Sequence, residues 1–337
     1  MVALARVITE AIVIEDGPSA FLRRLSDPYW FQAFGCVLGF DWHSSGVTTT
    51  VCGALKAGLA GAEVDTSIYV AGGKGAASRR TPTELARIAD GLGLDGDALV
   101  YASRMSAKVD SAAVQDGYQI YHHSFFTTAA GEWAVVQQGM SEASRSARRY
   151  HWHSPSVSDF VCEPHTAICS QQRAQLVLDL VAARSIAARS VVADLSRERP
   201  EAVHREAGKI LTMELPRRHH IDLRRDVAPR NLKKVLLATY DAQPADFEAL
   251  LAVPGVGAKT VRALALIAEL AHGTPASFED PARFSFAHGG KDGHPFPVDR
   301  EGYDRSVEWL REAVSRARLG RSDRMHALRR LAKWEAG

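Results

Sequence analysis

At 337 residues the chain is long enough to bury a full core, and ordinary domain sizes predict about two domains. Its 46% hydrophobic and 24% charged residues exclude a disordered or fibrous protein, and no apolar run reaches the length of a membrane span. The net charge of +2 divides unevenly: residues 1–165 hold 13 basic and 17 acidic side chains, residues 166–337 hold 28 and 22. A basic second half suits phosphate binding, and an acidic first half suits cations.

In chain order, residues 1–26 read as helix, ALARVITEAIVI followed by FLRRL after a Gly-Pro break. From Trp30 to about Thr166 short apolar runs (GCVLGF, SIYVAG, YQIYHH, WAVVQQG) alternate with Gly, Ser and Thr, with helices near 47–60 and 82–102. The stretch from Gly117 to Met140 predicts an antiparallel hairpin turning at Gly131. From Gln171 onward the pattern is helical: one long amphipathic helix ending before Pro200, then helices at 201–213, 230–240, 246–252, 258–272, 303–319 and 323–335. The expected fold is therefore α+β, a mixed α/β domain over 1–165 followed by an all-helical domain over 166–337. The N-terminus lacks the order of a secretory signal, so a cytoplasmic protein is expected. Cys36, Cys52, Cys162 and Cys169 form no CxxC pair, which predicts buried thiols rather than a disulfide framework or zinc ribbon.

The most specific pattern is DFEALLAVPGVGAKTVRALALIAELA, a helix-hairpin-helix over 246–272. Pro254, Gly255 and Gly257 make a tight turn that lets backbone approach a ligand closely. The second helix then offers unpaired N–H groups to a phosphate, with Lys259 and Thr260 in its first turn. Leu250, Leu251, Val253, Val256, Val261, Leu264 and Leu266 supply the packing between the two helices. Contact with backbone predicts sequence-independent, salt-sensitive binding of double-stranded DNA and a nucleoid-associated location. Just upstream, residues 217–234 hold seven Arg or Lys against two Asp and extend the basic track.

Polar residues crowd the first half. Asp41, His43, Ser44 and Ser45 precede a helix expected to be capped near Ser45 or Thr48, and Lys74 sits in AGGKG, wrongly spaced for a Walker A loop. Phosphodiester hydrolysis needs carboxylates for Mg²⁺ or Mn²⁺, a proton carrier and cations for the developing charge. Asp110, Asp116 and Glu132 are the candidate metal ligands, with a Gln carbonyl such as Gln138 in support. Lys108 and Arg149 are the candidate cations and His123 the candidate proton carrier. Strand alternation puts Gln119, Tyr121 and His123 on one face and Ile120 and His122 on the other. A Gly-rich stretch after the hairpin carries His288, Lys291, Asp292, His294 and Asp299.

Through DWHSSG, AGGKG, SRMSAKVD, QDGYQIYHH, WAVVQQGM, ARRYHW and FAHGGKDGHPFPVD the chain resembles a bacterial and archaeal domain-of-unknown-function family with a C-terminal helix-hairpin-helix. The resemblance implies a cytosolic protein acting on DNA and carries no catalytic assignment. This chain departs from it at the start, where an LPLHGGK-like segment is expected. A local resemblance to helix-hairpin-helix DNA glycosylases implies a different site, Lys259 as nucleophile with Asp299 as its carboxylate. Their separation is about twice that expected for such enzymes, and the large N-terminal half is foreign to them. The expected function is a metal-dependent DNA repair endonuclease; the alternatives are a glycosylase or lyase, or a non-enzymatic DNA-binding protein. A homodimer bracketing a duplex is compatible with each.

Overall fold

The computed structural model describes residues 1–40, 46–210, 232–285, 300–317 and 319–335. The chain is an α+β protein. Helix α1 (Val2–Leu25) is broken at Gly17, which takes a positive φ of 84° ahead of Pro18, where the Gly-Pro pair predicted a break. Helix α2 (Pro28–Leu38) follows, then α3 (Val47–Leu59), the single turn α4 (Glu63–Thr66), strand β1 (Ile68–Lys74), α5 (Thr81–Leu92) and α6 (Gly96–Lys108). Next come β2 (Val114–Gln115), β3 (Gln119–Thr128), β4 (Trp133–Ser141), β5 (Ser146–His153), β6 (Ala167–Ser170) and β7 (Leu178–Asp179). The remaining helices are α7 (Ile186–Arg197), α8 (Pro200–Ile210), α9 (Leu232–Ala242), α10 (Phe247–Ala252), α11 (Ala258–His272), α12 (Arg300–Arg316) and α13 (Arg321–Glu335).

Five strands form one antiparallel sheet in the order β1-β3-β4-β5-β6. The hairpin predicted around Gly131 is β3–β4, and Gly131 makes the turn with a φ of 83°. Alternation along the strands divides the core in two. Phe125, Val135, Tyr150 and Trp152 face α5, α6 and the later helices, whereas Phe126, Ala134 and Val136 face α1 to α3. His122 and His123 lie on opposite faces as expected, but a register shift between Ile120 and His122 breaks the alternation before them. Ile120 packs into the core on the His123 side, and Tyr121 OH meets Gln138 on the His122 side.

Three expectations are corrected. GCVLGF is no strand but the end of α2, whose start is set by the Asp27 carboxylate accepting from the Tyr29 and Trp30 N–H groups, each at 2.8 Å, and by Pro28 at the first position. Every residue of α2 is buried, so its apolar run carries no helical stripe to read. Helix α3 follows Gly46 and contains Thr48, so Thr48 is not its cap; Ser45 lies outside the described residues. The long helix expected from Gln171 is only α7. Upstream, Leu178–Asp179 pairs with Val114–Gln115, and the Asp179 side chain accepts from the Val181 and Ala182 N–H groups. Val177, Leu178, Leu180 and Val181 are all buried, a second run without a face.

The expected boundary at 165 is not where packing divides the chain. Strand β6 completes the sheet beyond it, and Val307, Leu310 and Val314 of α12 return to the core of α1 to α3. Among the described residues no helix is long and apolar enough to cross a membrane. Cys36, Cys52 and Cys169 are buried free thiols and Cys162 is half-buried; burial pushes the Cys52 thiol up to about 12.

Candidate functional site

Helices α10 and α11 form a hairpin around Val253–Gly257. The Asp246 carboxylate accepts from the Ala249 N–H at 2.8 Å and starts α10. Gly255 turns the chain with a φ of 90°, where a side chain would be strained. Gly257 is extended and begins α11 with no side-chain cap, and a Cβ there would meet nothing within 4 Å. The first N–H groups of α11 are thus left to solvent or a ligand. Pro254, Gly255 and Lys259 are exposed; all seven residues expected to pack the hairpin are buried. Thr260 is buried and turned inward, so it is not presented with Lys259.

The hairpin is bolted to the segment that follows α6. Lys108 Nζ donates to the Val256 carbonyl at 2.5 Å, and burial lowers its pKa. Gln115 donates to the Ala258 carbonyl at 2.8 Å and accepts from Arg262 Nε at 2.6 Å. Lys108 is therefore engaged in holding the hairpin turn. Between these two anchors the chain makes a π-helical turn, Val109–Ala113, which carries Asp110 inward.

Asp110 is fully buried and accepts three hydrogen bonds: from Gln137 Nε2 at 2.5 Å, from Trp152 Nε1 at 3.1 Å and from His165 Nε2 at 2.5 Å. The indole can only donate, so the carboxylate is the acceptor at the end of a one-way chain. Behind Gln137, its Oε1 lies 2.8 Å from His123 Nδ1, and His123 Nε2 lies 2.9 Å from Ser103 Oγ. The polarity of the chain assigns His123 a proton on Nδ1 and His165 a proton on Nε2. Burial lowers the His123 pKa and keeps that ring neutral. With both nitrogens taken, His123 reaches Asp110 only through Gln137.

Six residues further on, Asp116 belongs to a separate buried group. Its Oδ2 accepts from Arg148 Nη1 at 3.0 Å and Tyr150 OH at 2.6 Å, and Oδ1 from the Tyr118 N–H. Arg148 also donates to Asp280 at 2.7 Å and lies over the Tyr118 ring. Burial opposes its charge, but Asp116 and Asp280 hold the guanidinium above its ordinary pKa.

Arg149 points to the other face of the sheet. It donates to His151, to Gln32 and to the Pro28 carbonyl and stacks over Phe31. On the same face Gln138 donates to Tyr121 OH at 2.7 Å. His122 Nε2 lies 3.0 Å from Ser124 Oγ, while His122 Nδ1 and Thr48 Oγ1 are buried without a hydrogen-bond partner among the described residues. Burial, with His123 and Lys74 nearby, pushes the His122 pKa down to about 4.

The predicted metal ligands are not gathered. Asp110 and Asp116 serve different networks, and Glu132 sits at the β3–β4 turn, 2.9 Å from His153 Nε2. Among the described residues no group of three His, Cys, Asp or Glu is placed to hold a metal ion. The predicted cations are likewise on separate tasks, Lys108 at the hairpin and Arg149 across the sheet. Asp41, His43, Ser44, Ser45, residues 217–231 of the basic cluster, His288, Lys291, Asp292, His294 and Asp299 lie outside the described residues.

What the structure adds is His165. It lines a cavity of about 640 Å³ together with Asp179, Arg173 and Arg283. No local pattern marks it in the sequence: it is a single His after a Pro in a loop, and its meaning comes only from Asp110, 55 positions away. The Trp152 ring, 4.5 Å away centroid to centroid, holds the imidazole edge-on.

The fold and these sites define an α+β protein with a glycine-turned helical hairpin docked on a buried carboxylate–imidazole network. The chain belongs to the family described as Protein of unknown function (DUF763), whose model matches residues 1–298. No curated protein and no solved structure matches it.

Proposed function

We propose that this protein holds double-stranded DNA by its backbone and hydrolyses phosphodiester bonds. The observation that carries the reading is the hairpin: Pro254, Gly255 and Lys259 stand exposed before an uncapped α11, and Gly257 leaves open space where a Cβ would stand. That combination suits a phosphate oxygen on free N–H groups with a cation beside it. The reading includes a cytoplasmic, nucleoid-associated location and a homodimer able to bracket a duplex. Dependence on Mg²⁺ or Mn²⁺ is proposed with it. Asp110, Asp116 and Glu132 do not fit together as its ligand set, because each serves a separate network.

Gly257 gives a clean test, because its extended backbone suits any residue and its surroundings are open. Gly257→Ala should leave the melting temperature within error and weaken duplex binding about tenfold, by keeping a phosphate off the N–H groups. Lys259→Glu should weaken it at least as much and flatten the dependence of affinity on salt by about one counterion. Fluorescence anisotropy across a salt series measures both; unchanged affinity in both variants would sink the DNA reading. Cleavage is read on labelled plasmid and oligonucleotides with Mg²⁺, Mn²⁺ or EDTA.

A glycosylase or lyase using Lys259 with Asp299 is the second reading, and the exposure of Lys259 favours it. Borohydride trapping on abasic DNA should then give a covalent adduct that Lys259→Gln abolishes. A binding protein without chemistry is left if neither cleavage nor trapping occurs.

A further inference from the structure

The Asp110–His165 pair has the build of a proton-transfer centre and stands at the wall of a cavity. Asp110 holds Nε2 of His165 at 2.5 Å, and among the described residues the only other partners of that carboxylate are N–H donors. Among the described residues Nδ1 has no hydrogen-bond partner, and it is the ring nitrogen left for the cavity that His165 lines. An imidazole whose Nε2–H is tied to a carboxylate presents a lone pair at Nδ1, and the carboxylate stabilises the imidazolium once that nitrogen takes a proton.

The cavity wall says what kind of molecule fits. At about 640 Å³ it has the volume of a small-molecule site and is far too small for a duplex. Two of its acidic residues already have guanidinium partners, Glu279 with Arg184 and Asp280 with Arg148. Asp179 is buried, its Oδ1 accepts two backbone N–H groups, and burial raises its pKa toward the hydrogen-bonding neutral acid. Arg283 at the exposed rim has no ion-pair partner among the described residues. A rim cation, polar groups within, and apolar wall from Ile168, Val181 and Phe284 together suit a ligand with one anion and a flat heterocycle.

We propose that this cavity admits a single nucleotide of DNA, at a strand end or drawn out of the helix, with its phosphate on Arg283 and with His165 as the catalytic acid–base. In the step, a water oxygen bonds to phosphorus as His165 Nδ1 takes the water proton. The bond from phosphorus to the leaving sugar oxygen breaks with its electron pair, and the imidazolium returns the proton to that oxygen. One water is consumed, and one phosphomonoester and one hydroxyl are formed. Asp110 is a positioning residue that keeps the proton on Nε2. The proposal rests on the phosphodiesterase reading above.

The test uses the full chain and four probes: 5′-deoxynucleoside monophosphates, the matching nucleosides, inorganic phosphate and end-labelled oligonucleotides. Imidazole ¹⁵N spectra should show His165 as a single Nε2–H tautomer whose Nδ1 signal moves, saturably, with a monophosphate. Nucleoside or phosphate alone should act at least tenfold more weakly. His165→Gln and Arg283→Ala should each weaken monophosphate binding at least tenfold without lowering the melting temperature. His165→Gln should also slow oligonucleotide cleavage at least 100-fold with duplex affinity unchanged. Asp110→Asn should mix the His165 tautomers, a change that loss of packing alone does not produce. Monophosphates that leave His165 unmoved, or His165→Gln cleaving like the parent, would overturn the proposal. Binding at His165 with no cleavage of any DNA overturns the acid–base role. Duplex binding that fails while monophosphates still move His165 overturns the hairpin reading instead.

Discussion

Asp116→Ala is expected to lower the free energy of unfolding by about 3–5 kcal/mol, through loss of a buried ion pair rather than loss of catalysis. Asp116 is one of two carboxylates between which Arg148 is sealed, and the Arg148 side chain is wholly inaccessible to water. Removing Asp116 strips the guanidinium of one charge partner, Tyr150 of its acceptor and the Tyr118 N–H of its cap. Water cannot fill all three vacancies at so little exposure, so the unpaired charge sets the cost. Urea denaturation of Asp116→Ala measures it, and a loss below about 1 kcal/mol would show that the pair is not the load the geometry implies. Asp116→Leu combined with Arg148→Met, which removes both charges, should recover a good part of the loss. The outcome bears on function, because an inactive Asp116→Ala cannot be read as a missing metal ligand until its stability is known.

Acidification is expected to destabilise the protein between about pH 6.5 and pH 4, with His122 alone accounting for about 3 kcal/mol. Burial, with His123 and Lys74 close by, holds the folded His122 pKa at about 4 against an ordinary 6.5. In that window the unfolded chain binds a proton at this residue that the folded chain refuses, so stability drops as pH falls and is fully present above the ordinary value. Burial lowers His151, His123 and His153 in the same direction, and each adds to the slope with the same sign. Chemical denaturation at pH 7, 5.5 and 4.5 should show a steep fall in the parent and a shallower one in His122→Gln. Identical slopes would mean that His122 titrates normally in the fold.

Much of the fold was legible wherever a residue's environment is asymmetric. Gly131 between two alternating strands, Pro254-Gly255-Val256-Gly257 between two apolar helices, and Gly17-Pro18 inside α1 all announce themselves, because a turn needs special backbone and a half-buried element needs one polar face. The misreadings share the opposite cause. GCVLGF in α2 and Val177–Val181 before α7 are buried on all sides, so neither a period of 3.6 nor one of 2 survives in them.

The candidate site divides in the same way. Asp110, Asp116, Lys108 and Arg149 drew attention by type, but type did not say what each would meet. Asp110 and Asp116 are six positions apart and serve different networks, because the π turn carries one toward Trp152 and the return into β3 carries the other toward Arg148.

By itself, then, the sequence determined the glycine-turned hairpin at 253–257, with its exposed Lys259 and packed leucines and valines, since local backbone chemistry and one-sided burial suffice for that. Only the tertiary structure decided that Lys108 anchors the turn, that α12 and α13 return to the first helices, and that His165 meets Asp110 at the edge of a cavity. Each of these joins residues far apart in the chain. Such a contact is set by how the sheet and helices stack, and no period, cap or turn records it.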